Sequence, residues 1–250
     1  MTTREPILLV CGLGQGPWAW KWVEPLLARE HDVRTFVARG TGPLAHLEPR
    51  RTVRAMAADV AALLDGTPAH LAGVSMGGYV SLTLALEHPE LVRSLFLICT
   101  GAGGRERVPR PREVREAYEA AVVLPLGEYE RATTPLSLAP GWPEENPERF
   151  EEIVAARVAD GATLETMWAH LEACYAYYNE AIPVEQVATR AFVLHGAEDR
   201  VVPPENGRLL AARLPNARYE ELPARGHNLT LEIPEEIAQR VSAWVSDASE

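Results

Sequence analysis

Through the first hundred residues, short apolar runs alternate with stretches whose apolar residues recur every three or four positions. The runs "PILLVCG" (6–12), "DVRTFVA" (32–38), "AHLAGVS" (69–75) and "SLFLICTG" (94–101) predict buried strands. Between them, "WKWVEPLLAREH" (20–31), "TVRAMAADVAALLDG" (52–66) and "MGGYVSLTLALEHPELV" (76–92) carry helical spacing, the last two stopping at Gly66 and Pro89. Strands alternating with crossover helices predict βαβ units and a parallel sheet.

After Thr100 the pattern changes. Residues 102–185 hold no convincing strand, whereas "PREVREAYEAAVVLP", "NPERFEEIVAARVADG" and "ATLETMWAHLEACYAYYNEA" are each amphipathic at a helical period. Strands resume with "RAFVLHG" (190–196) and "ARYEELP" (217–223), separated by the helix "PENGRLLAARLP", and a last helix starts near Pro234. The expected architecture is α/β: a mostly parallel sheet of about six strands flanked by helices, formed by residues 1–101 and 186–250, with an all-helical insertion at 102–185. Because the insertion departs from the C-terminal edge of the sheet, it lies most simply over that edge.

Composition narrows the function. A chain of 250 residues, 47% hydrophobic and 24% charged, can bury a large core. Its formal net charge of −11 and pI near 5.2 repel phosphate backbones and anionic membrane surfaces, so neither nucleic acid nor membrane is an expected partner. The apolar run before Gly12 is too short for a signal segment or a membrane span, and a cytoplasmic location is expected. Cys11, Cys99 and Cys174 are odd in number and lack metal-ligand spacing, so they read as reduced core residues. No metal or other cofactor is expected, and the oligomeric state stays open between a monomer and a homodimer.

Candidate chemistry gathers where the strands end. In a parallel sheet the C-terminal edges share one side, and Leu13, Ser75, Thr100 and Asp199 all follow such edges. In "GVSMG" the glycines flanking Ser75 remove side chains that would clash as the chain folds back from strand to helix, which leaves the hydroxyl exposed at the tip. Such a serine needs a base, and the base needs a group to fix its tautomer. Of the seven histidines, His31, His46, His70 and His88 flank helices or loops and read as surface or boundary residues. His195 ends a strand, where a structural hydrogen bond is expected, and His170 lies mid-helix in the insertion and reaches the sheet edge only from above. His227, in a glycine-flanked loop after the last strand, is the best base. Asp199 precedes it in the loop after the preceding strand, with Glu198 as its competitor for the acid role.

The order Ser75, Asp199, His227 resembles that of the α/β-hydrolase fold enzymes, and the resemblance covers nearly the whole chain except the helical insertion. It implies that "HGAEDRVVP" carries the acid Asp199 and "GHNLTLEIPEE" the base His227, and that the insertion forms a cap over the active site. It also implies that "CGLGQGPWAW" is the oxyanion loop, with the backbone N–H of Leu13 pairing with that of Met76. Two departures stand out. Most relatives have His-Gly where this chain has Cys11-Gly12, which removes a hydrogen-bonding prop from that loop, and the family's usual N-terminal hairpin is not expected here.

The spacing from Gly12 through Trp18 and Trp20 is similar to the plant branch of small esterases and hydroxynitrile lyases. Those lyases carry Thr where this chain has Gly12 and Lys where it has Asn228, so hydrolysis of small esters or lactones is favoured. The segment from Gly73 to Val92 looks equally like proline iminopeptidases and 3-oxoadipate enol-lactonases. Other chemistry on the same triad, from carbon-carbon bond hydrolysis to perhydrolysis, is the first alternative, and a non-catalytic receptor is the second. In the insertion, Trp142, Met167, Trp168, Leu171, Tyr175 and Tyr178 are aromatic or apolar, the last five at helical spacing. A cap must turn one apolar face to the cavity, so Gly12, Trp142, Trp168 and Tyr178 are candidate pocket residues for an aromatic or acyl group.

Overall fold

A computed structural model describes residues 4–160 and 162–247; residues 1–3 and 248–250 of the expected core and Gly161 of the expected insertion lie outside the described residues. Six strands, β1 (Pro6–Val10), β2 (Asp32–Phe36), β3 (Ala69–Val74), β4 (Val92–Ile98), β5 (Ala191–Gly196) and β6 (Ala217–Leu222), form one sheet in the order β2-β1-β3-β4-β5-β6. Every neighbouring pair is parallel. All six lie where the apolar runs predict them.

Alternation at a period of two divides the central strands between two cores. Leu8, Val10, Leu71, Leu95, Leu97 and Val193 face one way, and Ile7, Leu9, Val74, Phe96, Ile98 and Leu194 face the other. With both faces apolar, helices must cover both. In chain order these are α1 (Glu24–Leu27), α2 (Val53–Leu64), α3 (Met76–Glu87), α4 (Arg112–Ala121), α5 (Leu126–Thr133), α6 (Trp142–Glu145), α7 (Pro147–Ala159), α8 (Leu164–Glu180), α9 (Pro204–Arg213), α10 (Leu229–Glu232) and α11 (Pro234–Ser246). Met56 and Val60 of α2, Val80 and Leu84 of α3 and Leu210 of α9 fill the first core, while Leu27 of α1 and Ile237 and Val241 of α11 fill the second.

Local chemistry sets the helix ends. Thr52 caps α2 by accepting from the N–H of Ala55 at 3.1 Å, and Asp65 and Gly66, both at positive φ, end it. The helix expected over 20–31 is instead a 3-10 turn (Pro17–Trp20) followed by the four-residue α1. Pro17 and Pro25 each sit in the first turn of these pieces, where proline starts a helix but cannot sit within one, so Trp18, Trp20 and Leu27 reach the core from two short turns.

Between 102 and 185 the described residues contain helices and no strand, α5 and α6 being additional to the three expected. No helix among the described residues is long and apolar enough to cross a membrane. Two histidines expected at the surface or boundary are buried. His70 lies inside β3, its Nδ1 2.8 Å from the hydroxyl of Ser94, its register partner on β4, and His31 Nε2 is 2.8 Å from Ser242 Oγ.

Candidate active site

The β3–α3 junction holds Ser75 at φ 54° and ψ −117°, a conformation that costs a non-glycine residue on the order of 1–3 kcal/mol. Its neighbours over-determine it. The Ser75 N–H donates to Ile98 O at 2.9 Å, and its carbonyl accepts from the Gly78 N–H and the Thr100 hydroxyl, each at 2.9 Å. The glycines are needed for contact. A Cβ on Gly77 would stand 2.2 Å from Val10 O, and one on Gly73 would stand 2.5 Å from Gly77 O.

Asp199, beyond β5, is 3% exposed and accepts four hydrogen bonds or close contacts. Its Oδ1 takes the N–H groups of Val201 and Val202 at 2.8 and 2.9 Å, while Oδ2 lies 2.7 Å from His227 Nδ1 and 3.1 Å from His195 Nε2. Burial pushes this carboxyl up, yet His227 and His195 outweigh it and hold it well below the usual carboxylate range. His195 also donates from Nε2 to Val202 O at 2.8 Å, so it braces the acid loop as a structural histidine. Cys99, at φ 50°, brings its sulfur to the same cluster, where burial pushes the thiol far up and keeps it protonated.

Two further anchors fix the His227 loop. The N–H groups of His227 and Asn228 both donate to Ser137 O, at 3.1 and 3.0 Å, and the Asn228 amide donates to Ser137 Oγ at 2.8 Å. The buried carboxylate of Glu232 accepts from Gly226 N at 3.1 Å and Ala139 N at 3.2 Å. Burial pushes Glu232 up to about 7.

The loop after β1 is held from several sides. Gly12 N donates to Gln15 Oε1 at 2.8 Å, the Gln15 amide reaches Asn228 Oδ1 at 3.3 Å, and Gly14 N donates to His170 Nδ1 at 3.1 Å. Cys11 Sγ lies 3.3 Å from Gly16 O. The prop expected to be lost with the Cys11-Gly12 pair is therefore supplied by Gln15 and by His170, which α8 carries down onto the loop. His170 is fully buried, and burial pushes its imidazole down to about 4. Gly14 has φ +64° and lies under Met167, whose sulfur would meet an added Cβ at 2.0 Å. The Leu13 N–H takes no part in the loop's own backbone hydrogen bonds, and Met76 N–H belongs to the first turn of α3, whose donors an α-helix leaves free.

Ser75, His227, Leu13 and Gln15 line one cavity of about 430 Å³, within the range of small-molecule sites. Across it stand Met167, Trp168, Leu171, Tyr175 and Tyr178, all five of the apolar residues at helical spacing in α8. Tyr178 hydroxyl meets Tyr79 hydroxyl at 3.0 Å, and Tyr79 lies one helical turn after Ser75. Among the described residues no hydrogen bond joins Ser75 Oγ to His227, a contact that commonly closes only with substrate in place. Two of the candidate pocket residues lie elsewhere. Trp142 is packed into the second core at 6% exposure because α6 turns it inward, and Gly12 is drawn under the loop by Gln15.

These arrangements define an α/β hydrolase. The chain matches the alpha/beta hydrolase family over residues 7–240 and belongs to it. It is similar to RutD of Caulobacter vibrioides (strain NA1000 / CB15N), named for carbamate hydrolysis, at 30% identity over 98% of this chain and 91% of that protein. It is also similar to BpoC of Mycobacterium tuberculosis (strain ATCC 25618 / H37Rv), named as a non-heme bromoperoxidase, at 32% identity over 94% and 91% of the two chains. The BpoC crystal structure superposes with a TM-score of 0.81 at 27% identity, covering 98% of this chain and 93% of that one. A malate-bound thermophilic esterase from Thermogutta terrifontis superposes with a TM-score of 0.78 at 25% identity, covering 98% and 91%.

Proposed function

We propose that this chain is a serine hydrolase of small carboxylic esters or lactones, with Ser75 as nucleophile, His227 as base and Asp199 as the residue that orients the base. The observation that carries the reading is the buried 2.7 Å contact of His227 Nδ1 with Asp199 Oδ2, set on the same cavity as a strained, accessible Ser75. With Nδ1–H donated to the carboxylate, Nε2 carries the lone pair and takes the serine proton as Oγ attacks the carbonyl carbon. The N–H groups of Leu13 and Met76 then receive the developing oxyanion, aided by the N-terminus of α3. Collapse expels the alcohol, or opens the lactone, with the proton returned by His227, and water repeats the sequence to release the acid.

The helices between 102 and 185 act as the cap in this reading, excluding water and shaping the acyl pocket. The esterase name of a structural neighbour at 25% identity supports an ester substrate. Carbamates contain a carbonyl open to the same attack and belong in the substrate panel because a relative at 30% identity is named for them. The test is a fluorophosphonate probe with intact-mass analysis, followed by p-nitrophenyl esters of increasing chain length. A single adduct lost in Ser75→Ala is expected. An unlabelled wild-type chain, or an adduct that persists in Ser75→Ala, removes Ser75 from the mechanism.

A further inference from the structure

Four arginines line the cavity, and they are not equivalent. Arg157 meets Glu130 at 2.5 Å and Arg115 meets Glu119 at 3.7 Å, so two of the charges are neutralised. Arg107 and Arg110 meet no carboxylate among the described residues. Arg107 lies with its guanidinium 4.4 Å from the ring centroid of Tyr178, and Arg110 lies 4.8 Å from that of Tyr118. Arg110 Nε donates to Val201 O at 3.2 Å, and its terminal nitrogens meet no protein acceptor among the described residues.

A side-chain clamp holds the segment that carries both arginines. The buried side chain of Asn206 donates to Val108 O and accepts from Val108 N, each at 2.9 Å, and so pins one of the two residues between them. Contact then runs toward the nucleophile: Arg107 on Tyr178, Tyr178 on Tyr79, and Tyr79 one turn from Ser75. Burial raises the Tyr178 hydroxyl and the Cys174 thiol, and the charge of Arg110 opposes it at both, so its field reaches into the cavity wall. In a chain of net charge −11, two uncompensated guanidinium groups inside the cavity create a local reversal of the overall field.

We propose that the substrate is an ester or lactone whose acyl part carries a carboxylate, bound by Arg107 and Arg110. This rests on Ser75 hydrolysing an ester or lactone in the same cavity. Guanidinium groups suit the task because their planar donors match a carboxylate in bidentate geometry. The stacked tyrosines hold both planes without removing their charge. The reaction consumes only water: it adds across the acyl C–O bond and leaves a dicarboxylic acid with its alcohol, or a hydroxy diacid from a lactone.

The test compares mono-p-nitrophenyl glutarate with p-nitrophenyl pentanoate, which share chain length and differ in the terminal carboxylate, after subtraction of spontaneous hydrolysis. The kcat/KM ratio of charged over neutral ester is expected to favour the charged ester by about tenfold in wild type, and to shrink with added salt. Arg107→Gln with Arg110→Gln lowers that ratio about tenfold. The double Lys variant retains more of it, and Arg105→Gln, off the cavity, leaves it unchanged. A wild-type ratio at or below one, or a ratio indifferent to the double Gln change, overturns the proposal. Glutarate binding to Ser75→Ala by calorimetry separates this site from the hydrolase reading. Binding that the double Gln change abolishes supports the carboxylate site even where the Ser75 probe fails, and no binding to the Ser75→Ala chain counts against it.

Discussion

His170→Leu tests whether α8 positions the oxyanion loop or only packs on it. The substitution removes the acceptor of the part-buried Gly14 N–H; a fully buried donor left without a partner costs about 1–3 kcal/mol, so the cost here lies at the low end of that range. A loss of about 1 kcal/mol lowers Tm by about 2–4 °C for a chain of this size. The catalytic effect is larger if the proposed oxyanion hole is right. Removing one oxyanion donor outright costs about 10²–10³ in kcat, so displacing the Leu13 N–H by loosening its neighbour is expected to cost about tenfold to a hundredfold. KM changes little because His170 is not on the cavity wall. The neutral imidazole also sets a pH window. The folded chain holds His170 near 4, below its ordinary value of 6.5, so the unfolded chain binds the extra proton first and stability falls as pH drops from about 6.5 to 4. His170→Leu flattens that decline. Steady-state kinetics on a p-nitrophenyl ester and thermal melts between pH 4 and 8 provide both readouts, and a Tm loss with unchanged kcat refutes the positioning role.

Three further outcomes are expected. Asp199→Asn lowers kcat on the order of ten-thousand-fold while the fold persists, because the amide can hold the wrong tautomer of His227; a crippling Glu198→Gln with a near-silent Asp199→Asn would reassign the acid. Burial lifts Glu232 to about 7 from 4.5, so the folded chain binds the extra proton across that interval and the stability this group contributes falls as pH rises through it, by about 3 kcal/mol. Glu232→Gln removes that one contribution and leaves the opposite one from His170, so the difference between variant and wild-type melting profiles carries the sign, and a variant profile with the wild-type slope between pH 5 and 8 contradicts the assignment. Trp142→Ala costs about 3–5 kcal/mol by emptying a core site and leaves the ester chain-length profile alone, whereas the half-exposed Trp168→Ala shifts that profile at little cost in Tm; exchanged results would restore Trp142 to the pocket.

The strands were legible because each is a short apolar run between turn residues, and a parallel sheet buries both faces. The serine junction was legible for a related reason: only glycine fits at 73 and 77, where backbone oxygens approach within 2.5 Å of any Cβ. The lining face of α8 followed from helical spacing, which puts Met167, Trp168, Leu171, Tyr175 and Tyr178 on one side, together with the cap that the resemblance implied. What could not be read were polar contacts between distant segments. Glu232 looks like any acidic residue near a helix start, and nothing local says that Gly226 and Ala139 will converge on it. His170 breaks an apolar helix pattern, a signal that marks it for attention without naming the Gly14 N–H as its partner. Trp142 failed as a pocket residue because aromatic content cannot say which way a four-residue helix turns its side chain.

The segment between the two halves of the core serves both sides of the candidate site. Ser137 fixes the backbone of His227 and Asn228, and Met167 and His170 fix Gly14, so residues 102–185 grip the His227 loop and the loop after β1 separately. The two loops also meet directly. Gln15 spans them, accepting from Gly12 N while its amide reaches Asn228, whose own amide returns to Ser137. A closed circuit of this kind makes deletions non-additive, because each removed member leaves its neighbours with one anchor fewer. The loss at Gln15→Ala combined with His170→Leu is therefore expected to differ from the sum of the single losses by about 0.5–3 kcal/mol, measured as a double-mutant cycle in kcat/KM. Strict additivity would mean that the insertion supports the two loops independently, and that the cysteine at position 11 is tolerated for a reason other than this circuit.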